Sequence, residues 1–334
     1  MESEINQTNS ANEAPLVSFV IPLYNTGDAI VKLFDAFRLL PIREGYELVL
    51  VNDGSKDGTF ERAADLAKTM PIPVTLMDFA RNFGEHAAVM EGLRRSRGRF
   101  VVNLDDDLQN PVSEAIKLLN HIRQSGDDVL YSYYAEKKHH WFRNIGSWAT
   151  SAIASFLLDK PRGLYLCSFR AMRRELVDRV TRYTGPYPYI DGLILGATNR
   201  IGRLQVLHEE RTDGQSGYTL RRLLRLWANM FFNFSIMPLR VASLLGVVLC
   251  AFGVIILLSA LLEHYIYGTK QSGWTSLMSV ISIFSGSQLL ILGLLGEYVG
   301  RTYMTLAGKP QSIVRTVIAH EMRTPMIVDD SNKS

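Results

Sequence analysis

Short hydrophobic runs alternate with segments of helical spacing through the first 125 residues. The runs are rich in β-branched residues and bounded by turn residues, as buried strands are. They predict strands over Leu16–Leu23, Tyr46–Val51, Val74–Phe79 and Phe100–Leu104. Between them, apolar residues three and four positions apart predict helices over Asp28–Leu40, Thr59–Lys68, Gly84–Arg95 and Asn110–Ser125. This alternation predicts an α/β fold with a doubly wound, mostly parallel sheet.

The same patterns continue more weakly to about residue 208. They predict strands over Asp127–Ser132, Leu164–Arg170 and Arg203–His208. They predict helices over Trp141–Leu158 and Asp191–Ala197. The first 14 residues are polar, with no apolar run, and we expect a disordered tail.

The last third of the chain has a different pattern. Val241–Leu262 and Trp274–Gly296, which are 22 and 23 residues long, contain no charged residue. About 20 apolar residues cross a bilayer as a helix, so these runs predict a hairpin of two transmembrane helices. Before them, Tyr218–Phe234 has large apolar residues on one side and arginines on the other, which predicts a helix lying in the membrane interface.

These patterns divide the chain into five segments. We predict a tail over 1–14, an α/β domain over 15–217, an interfacial helix over 218–238, two membrane helices within 239–300 and a polar C-terminal segment over 301–334.

Composition and charge narrow the function classes. With 47% hydrophobic and 21% charged residues among 334, the chain is not a disordered protein. Its net charge of +3 comes without a basic face in the α/β domain, which argues against nucleic-acid binding. Arginines and lysines instead flank the apolar runs, so the positive-inside bias predicts that the α/β domain and both termini are cytoplasmic. Cys167 and Cys250 are predicted to be small buried hydrophobic residues, since no metal-binding cysteine spacing is present.

Three consecutive acids follow the fourth predicted strand. Alternate residues of an extended chain point the same way, so Asp105 and Asp107 can converge on one cation while Asp106 points elsewhere. Oxygen ligands of this kind suit Mg²⁺ or Mn²⁺, with substrate phosphates completing the shell. The alternative interpretation is a solvated acidic turn before the helix that begins near Asn110-Pro111.

Asp53 and Asn25 follow two other predicted strands. In parallel sheets, ligands bind beyond the carboxyl ends of the strands, where a carboxylate accepts hydrogen bonds from a base or ribose. Both residues also fit simple turn formation, since Asp53 precedes Gly54.

Four segments in order resemble glycosyltransferase family 2, which has the GT-A fold. They are VSFVIPLYN, VNDGSKDGT, ARNFGEHAAVMEG and LDDDLQNP. With the paired apolar runs, residues 16–316 look like the polyprenyl-phosphate glycosyltransferase branch, which includes dolichyl-phosphate mannosyltransferase-like enzymes and undecaprenyl-phosphate glucosyl- and aminoarabinosyltransferases. The resemblance implies a metal-dependent inverting enzyme of the bacterial inner membrane. It would move one sugar from a nucleotide sugar, by family majority a UDP-sugar, to undecaprenyl phosphate, and it would act as a homo-oligomer, by resemblance a tetramer.

The resemblance also implies roles for individual residues. Asp105 and Asp107 would hold Mg²⁺ or Mn²⁺, with Gln109 as a further metal contact. The nucleotide pocket would be lined by Pro22, Tyr24, Asn25, Asp53, Arg81 and Gly84. Arg143 would bind the lipid phosphate. Arg211 and Ser216 would belong to a loop that adjoins the active site. Ser168 and Arg170 are expected to face the site, and Asp191 to assist catalysis; the alternative for Asp191 is the N-cap of a helix.

The chain departs from the branch at several positions. Thr26 stands where relatives often have Glu, Gly217 where they often have Lys, and Tyr134 and Lys137 where they tend to have Arg. Leu164 occupies the place of an Asp that is one candidate base. A phosphate monoester has a second pKa near 6, so the acceptor needs positioning more than proton removal.

Two other classes of protein fit the sequence less well. A processive polysaccharide synthase would carry a Gln-x-x-Arg-Trp motif and more membrane helices, and the sequence has neither. A non-catalytic membrane anchor would not need the Asp105/Asp107 pair. No local pattern identifies the sugar.

Overall fold

The computed structural model describes residues 15–40, 45–134, 164–207, 237–267 and 273–320. These residues form two compact units. The first contains the described residues up to Leu207 together with those from Pro310 onward, and the second contains those from Met237 to Lys309.

The first unit is a mixed α/β sheet covered by helices. Its strands are β1 (Val17–Leu23), β2 (Tyr46–Asn52), β3 (Val74–Phe79), β4 (Phe100–Asn103), β5 (Val129–Tyr133), β6 (Arg170–Arg173), β7 (Ile201–Gln205) and β8 (Val314–His320). Its helices are α1 (Ala29–Arg38), α2 (Thr59–Ala67), α3 (Glu85–Arg95), α4 (Val112–Gln124), α5 (Arg174–Thr181) and α6 (Ile190–Ala197). The described strands pair in the order β7-β5-β6-β4-β1-β2-β3-β8.

The centre of this sheet confirms the predicted parallel alternation. β4, β1, β2 and β3 run parallel as neighbours, so their carboxyl ends meet at one edge. Every residue of β1 and of β2 is buried, because helices cover both faces of a parallel sheet. One face packs against α1, α2 and α4, and the other against α3, α5 and α6.

The sixth strand differs from its prediction. The hydrophobic run predicted a strand over Leu164–Arg170, but β6 begins at Arg170, where antiparallel pairing with β4 and β5 starts. Leu164 is buried in the core without belonging to a strand. Hydrophobicity here reflects packing of an irregular segment and not strand pairing.

An eighth strand comes from the C-terminal segment, for which the sequence pattern predicted no element. β8 pairs antiparallel with β3 from Val74↔His320 to Phe79↔Val314, with a register shift near Asp78. Before the strand, the buried side chain of Gln311 accepts a hydrogen bond of 2.7 Å from Arg94 and donates to the carbonyls of Tyr183 and Gly185. The sheet of the first unit therefore includes residues from near the C-terminus.

The described residues of the second unit form two long helices, α7 (Met237–Tyr267) and α8 (Trp274–Leu306). They approach closely at Gly253, where a Cβ would lie 2.8 Å from the Phe284 ring. Both helices expose large apolar side chains such as Val247 and Leu289.

The membrane prediction is met in part. Within the described residues, Ile283–Leu306 is the one helical stretch long and apolar enough to cross a bilayer, with a mean hydropathy of 1.3. The apolar stretch found in α7, Ala242–Ile255, is shorter. Both predicted spans are helical, but the hairpin of two membrane helices stays a prediction. The predicted helices Trp141–Leu158 and Tyr218–Phe234 lie outside the described residues.

Candidate active site

Polar loops meet at the carboxyl edge of the parallel strands. The loop after β1 is joined to the loop after β2, because the Asn25 backbone N–H donates to Ser55 at 2.9 Å and the Asn25 side chain accepts from the Lys56 N–H at 3.0 Å. Asn25 has φ +50, a left-handed conformation that Asn tolerates better than most residues. Asp57 adds a second connection by accepting from the Gly27 N–H at 2.9 Å.

Asp53 fixes the loop that precedes α3. One carboxylate oxygen accepts from the Phe83 N–H at 2.7 Å and the other from the Gly84 N–H at 2.9 Å. Burial raises the pKa of Asp53 to about 6, although these two hydrogen bonds act in the opposite direction. The predicted turn residue is thus also the acceptor that holds the RNFG segment against the end of β2.

Gly54 allows this close approach. It has φ +68, and a Cβ there would lie 2.6 Å from the carbonyl carbon of Arg81. Nearby, the Arg81 guanidinium lies 4.6 Å from the centre of the Phe83 ring. Gly84, with φ +100, is the residue before the first turn of α3. The structure brings together these predicted pocket residues.

The first strand supplies the remaining predicted pocket residues. Pro22 is buried within β1, opposite Val51. Tyr24 is 53% exposed, and its backbone N–H donates to Asp106 at 3.3 Å. Thr26 also donates to Asp106 through its hydroxyl. Asp106 therefore contacts the loop after β1.

The other two acids have different partners. Asp105 accepts a hydrogen bond of 2.5 Å from the Ser168 hydroxyl, and Asp107 accepts from the Gln109 N–H at 3.2 Å. Leu108, between Asp107 and Gln109, has φ +53, which is rare for a residue with a bulky side chain. Such strain persists only where the surrounding structure imposes it, and it clusters at functional sites.

The electrostatics of the acidic segment fit a divalent cation. Burial, together with the charges of Glu85, Asp107 and Asp106, raises the pKa of Asp105 to about 7, although the Ser168 hydrogen bond lowers it. A bound cation would remove this mutual repulsion. Within the described residues, no three acidic, histidine or cysteine side chains form a complete metal cage. Two carboxylates with substrate phosphates and water would be an ordinary shell for Mg²⁺ or Mn²⁺.

A buried network lies next to the acidic segment. Arg170 forms an ion pair with Asp191, whose Oδ1 also accepts from the Tyr131 hydroxyl at 2.8 Å. The second terminal nitrogen of the Arg170 guanidinium donates to the Asn103 side-chain oxygen at 3.3 Å. The N-cap alternative for Asp191 is wrong, because Tyr189 occupies the N-cap position of α6 and no side chain caps it. Asp191 serves the ion pair instead.

His86 borders this network from the first turn of α3. Its ring meets the Tyr189 ring edge-on at 5.1 Å. Burial lowers the pKa of His86, against the charges of Glu85 and Asp191, which raise it. A neutral imidazole is therefore expected here at neutral pH.

Leu164 and Tyr134, which depart from the family pattern, lie among the described residues. Leu164 packs in the core beside α5 and α6, so no carboxylate stands there. The Tyr134 hydroxyl donates to Asn110 at 2.9 Å and lies 3.3 Å from the Cys167 sulfur. Cys167 is half-buried, near its predicted environment.

Arg143, Arg211 and Ser216 lie outside the described residues, as do Lys137 and Gly217. A cleft of about 520 Å³ is lined by Asp128, Arg179 and Arg200. It lies at the amino ends of β5 and β7, at the edge of the sheet away from the acids.

Sequence reasoning missed four residues that border the site, namely Glu85, His86, Tyr131 and Tyr189. Glu85 and His86 directly follow the RNFG segment, so their position in a recognised motif was an available signal. Tyr131 and Tyr189 carry none, because the place of Tyr131 depends on strand pairing across the sheet and that of Tyr189 on its contact with the His86 ring.

Known proteins are similar to this chain over most of its length. The family profile described as "Glycosyl transferase family 2" matches residues 18–181. An undecaprenyl-phosphate 4-deoxy-4-formamido-L-arabinose transferase from Serratia proteamaculans is 30% identical over 309 residues, covering 91% of this chain and 94% of that protein. A protein of the same name from Yersinia pestis is 33% identical over 313 residues, with coverage of 91% and 94%.

Solved structures show a more distant likeness. Glucosyl-3-phosphoglycerate synthase from Mycobacterium tuberculosis, in complex with Mn²⁺, UDP-glucose and phosphoglyceric acid, has a TM-score of 0.49 and 17% sequence identity. The match covers 69% of this chain and 82% of that one.

Proposed function

The chain belongs to glycosyltransferase family 2, in its polyprenyl-phosphate branch, and we propose that it transfers one sugar from a UDP-sugar to undecaprenyl phosphate. The observation that carries this proposal is the acidic segment. Asp105 and Asp107 follow β4 at the edge where the Asp53 loop and the RNFG loop meet. The acceptor is proposed from the activity for which the relatives are named, since these relatives cover nearly the whole chain.

Asp105 and Asp107 would hold Mg²⁺ or Mn²⁺, with Gln109 as a further contact. When bound, the cation would act as a Lewis acid and stabilise the departing nucleotide diphosphate. The protein's own part is to place these oxygens: Ser168 orients the Asp105 carboxylate, and the Asp107 carboxylate is bonded to the backbone of Gln109. Asp53, Asn25, Pro22 and Tyr24 would line the nucleotide pocket, with Arg81 and Gly84 beside them.

Transfer requires one bond to form and one to break. An oxygen of the lipid phosphate attacks the anomeric carbon as the bond from that carbon to the nucleotide diphosphate breaks, which inverts the anomeric configuration. Because the second pKa of a phosphate monoester is near 6, the attacking oxygen is largely ionised at neutral pH. Arg143, and Arg211 with Ser216, would bind the acceptor phosphate, since a guanidinium contacts two phosphate oxygens at once.

We place the enzyme in the bacterial inner membrane with the catalytic domain on the cytoplasmic side. The exposed apolar side chains of α7 and α8 support a pair of membrane helices, because a surface of this kind is costly in water. The arginines before α7 and after the apolar part of α8 support the orientation. A homo-oligomer, by resemblance a tetramer, completes this proposal.

The test uses the full-length protein in nanodiscs with undecaprenyl phosphate and a panel of labelled UDP-sugars, including UDP-4-deoxy-4-formamido-L-arabinose. We expect one donor to give a singly glycosylated lipid, and EDTA to abolish its formation. Asp107→Ala should also abolish it, whereas Asp65→Ala, which changes an exposed acid on α2, should not. A long polymer would indicate a processive synthase. No product from any donor, or near-normal turnover by Asp107→Ala, would contradict the proposal.

A further inference from the structure

Three neighbouring strands place three buried polar side chains side by side. In the register of the sheet, Arg170 of β6 lies opposite Asn103 of β4 on one side and Tyr131 of β5 on the other. All three are essentially inaccessible to solvent. Asp191 reaches them from α6, on the face of the sheet that α3, α5 and α6 cover. The four residues form one continuous network across the sheet.

The network carries a balanced pair of charges. Arg170 is 2% exposed and Asp191 is 8% exposed. Removing either charge alone would leave the other buried and uncompensated, which is strongly unfavourable. Tyr131 and Arg170 both donate to the same oxygen of Asp191, so this carboxylate is fixed within the framework of the domain.

The network is connected to the proposed metal ligands at two points. Arg170 bonds to Asn103, two residues before Asp105. Ser168, two residues before Arg170, bonds to Asp105 itself at 2.5 Å. Two hydrogen bonds, from Ser168 to Asp105 and from Arg170 to Asn103, thus join the segment 168–170 to the segment 103–105. A displacement of Arg170 would therefore shift both Asn103 and Asp105.

We propose that Arg170, Asp191 and Tyr131 are positioning residues that set the place of Asp105 for the divalent cation. This assigns Asp191 to the support of the metal site and not to proton transfer, and it adds Tyr131, to which no sequence motif assigned a role. Residues behind metal ligands orient them, and their loss typically weakens metal binding by about 10- to 100-fold. The inference rests on the proposed metal role of Asp105.

Tyr131→Phe is the least disruptive test, because it removes only the hydroxyl that donates to Asp191. Mn²⁺ binding to the full-length protein in detergent, with UDP present, is measured from the electron paramagnetic resonance signal of free Mn²⁺. We expect at least a threefold weaker Mn²⁺ affinity. The matched control is Tyr46→Phe, which removes a buried tyrosine hydroxyl bonded to the Phe37 carbonyl at 2.6 Å. Tyr46 begins β2, at the end of the sheet away from the acids, so this variant should bind Mn²⁺ as the wild type does.

A double variant tests the ion pair without leaving a lone buried charge. Arg170→Met with Asp191→Leu replaces the pair by apolar side chains, a change that is often neutral for stability. Its circular dichroism spectrum checks the fold. We expect Mn²⁺ affinity to fall by about 10- to 100-fold, together with a higher KM for the metal in any transfer assay. If this variant does not fold, Tyr131→Phe decides alone.

The outcomes separate this inference from the proposed function. Mn²⁺ binding is measured without a sugar donor, so a failure to find any transferred sugar would contradict the function and leave the binding comparison intact. Unchanged Mn²⁺ affinity in Tyr131→Phe would overturn the inference, as would a wild type that binds no Mn²⁺. A loss of kcat at unchanged metal affinity in the double variant would overturn it too, and would favour Asp191 as a base.

Discussion

The Asp53 carboxylate accepts a hydrogen bond of 2.9 Å from the backbone N–H of Gly84, which joins the end of β2 to the start of α3. The second oxygen of Asp53 binds the neighbouring N–H of Phe83 in the same way. Asp53, which also fits a simple turn before Gly54, therefore connects the loop after β2 with the loop before α3.

Replacing Asp53 by Asn tests this arrangement. An amide has one acceptor oxygen, so either the Phe83 or the Gly84 N–H would lose its partner, at a cost of about 1–3 kcal/mol. We expect Asp53→Asn to lower the thermal midpoint and to raise KM for the nucleotide sugar. Asp65→Asn, on the exposed face of α2, is the control and should change neither. An unaltered KM would separate Asp53 from the nucleotide pocket.

Gly54→Ala should be much more damaging than an ordinary glycine substitution. Its Cβ would lie 2.6 Å from the Arg81 carbonyl carbon, and the residue has φ +68. Gly45→Ala is the matched control, since Gly45 has φ +76 but no heavy atom within 4 Å of the added Cβ. We expect the control to show only the backbone cost of about 1–2 kcal/mol, and Gly54→Ala to lose more stability and UDP binding as well. Equal effects in chemical denaturation would mean that the loops move apart without cost.

The metal-free protein should lose stability as the pH rises, because of the raised pKa of Asp105. Its pKa of about 7 in the folded protein lies above the ordinary 3.8, so the folded state holds this proton more tightly than the unfolded state does. The resulting stability is present at low pH and is lost as the pH rises from about 4 through about 7. Between pH 5.5 and 8, the thermal midpoint of the wild type should therefore fall more than that of Asp105→Asn.

Mn²⁺ should reverse the fall of the thermal midpoint with rising pH, because the cation competes with the proton for Asp105. The apparent Mn²⁺ affinity of the wild type should rise with pH and level off above about 7. Ser168→Ala removes a hydrogen bond that lowers the pKa of Asp105, so its Mn²⁺ affinity should level off at a higher pH. Identical pH profiles for the two proteins would contradict this account of Ser168.

Arg143→Ala addresses the acceptor, where the assignment comes from family resemblance. A guanidinium that binds the lipid phosphate contributes to acceptor affinity. We therefore expect KM to rise at least fivefold for undecaprenyl phosphate and to change little for the UDP-sugar. The reverse pattern would remove Arg143 from the acceptor site.

Gln311→Ala tests the attachment of the C-terminal segment. The buried amide accepts from Arg94 and donates to the Tyr183 and Gly185 carbonyls, so its removal breaks three hydrogen bonds, while the bond from Arg94 to the Tyr183 carbonyl remains. We expect a loss of about 1–3 kcal/mol in the free energy of unfolding. Gln205→Ala, at an exposed position of β7, should stay within about 0.5 kcal/mol of the wild type. Similar values for the two variants would show that the contacts of Gln311 add little.

The sequence predicts the centre of this molecule well because local and global signals agree there. β1 to β4 are mostly apolar, as parallel strands buried on both faces usually are, and the three acids follow β4 after one further apolar residue, Leu104. The adjacency of Asp53, Arg81 and Gly84 followed from the topology, because the carboxyl ends of neighbouring parallel strands meet.

The remainder depends on distant parts of the chain. The partner of Asp191 is Arg170, and nothing local to either residue shows that β6 runs antiparallel between β4 and β5. The same holds for β8, whose exposed and partly buried residues carry no clear alternation. Leu164 misled the strand prediction because a buried apolar residue looks alike in a strand and in an irregular segment.

The origin of β8 also affects how the protein is made. Val74 pairs with His320, and the residues that separate them include both long apolar helices. While a ribosome is still translating those helices, β3 has one edge with unpaired backbone groups, and such edges readily pair with other chains. The catalytic sheet is therefore completed only after the apolar helices have left the ribosome. Early termination within α8 would release a domain with an open edge, and a chaperone that covers this edge during translation would protect the chain until β8 arrives.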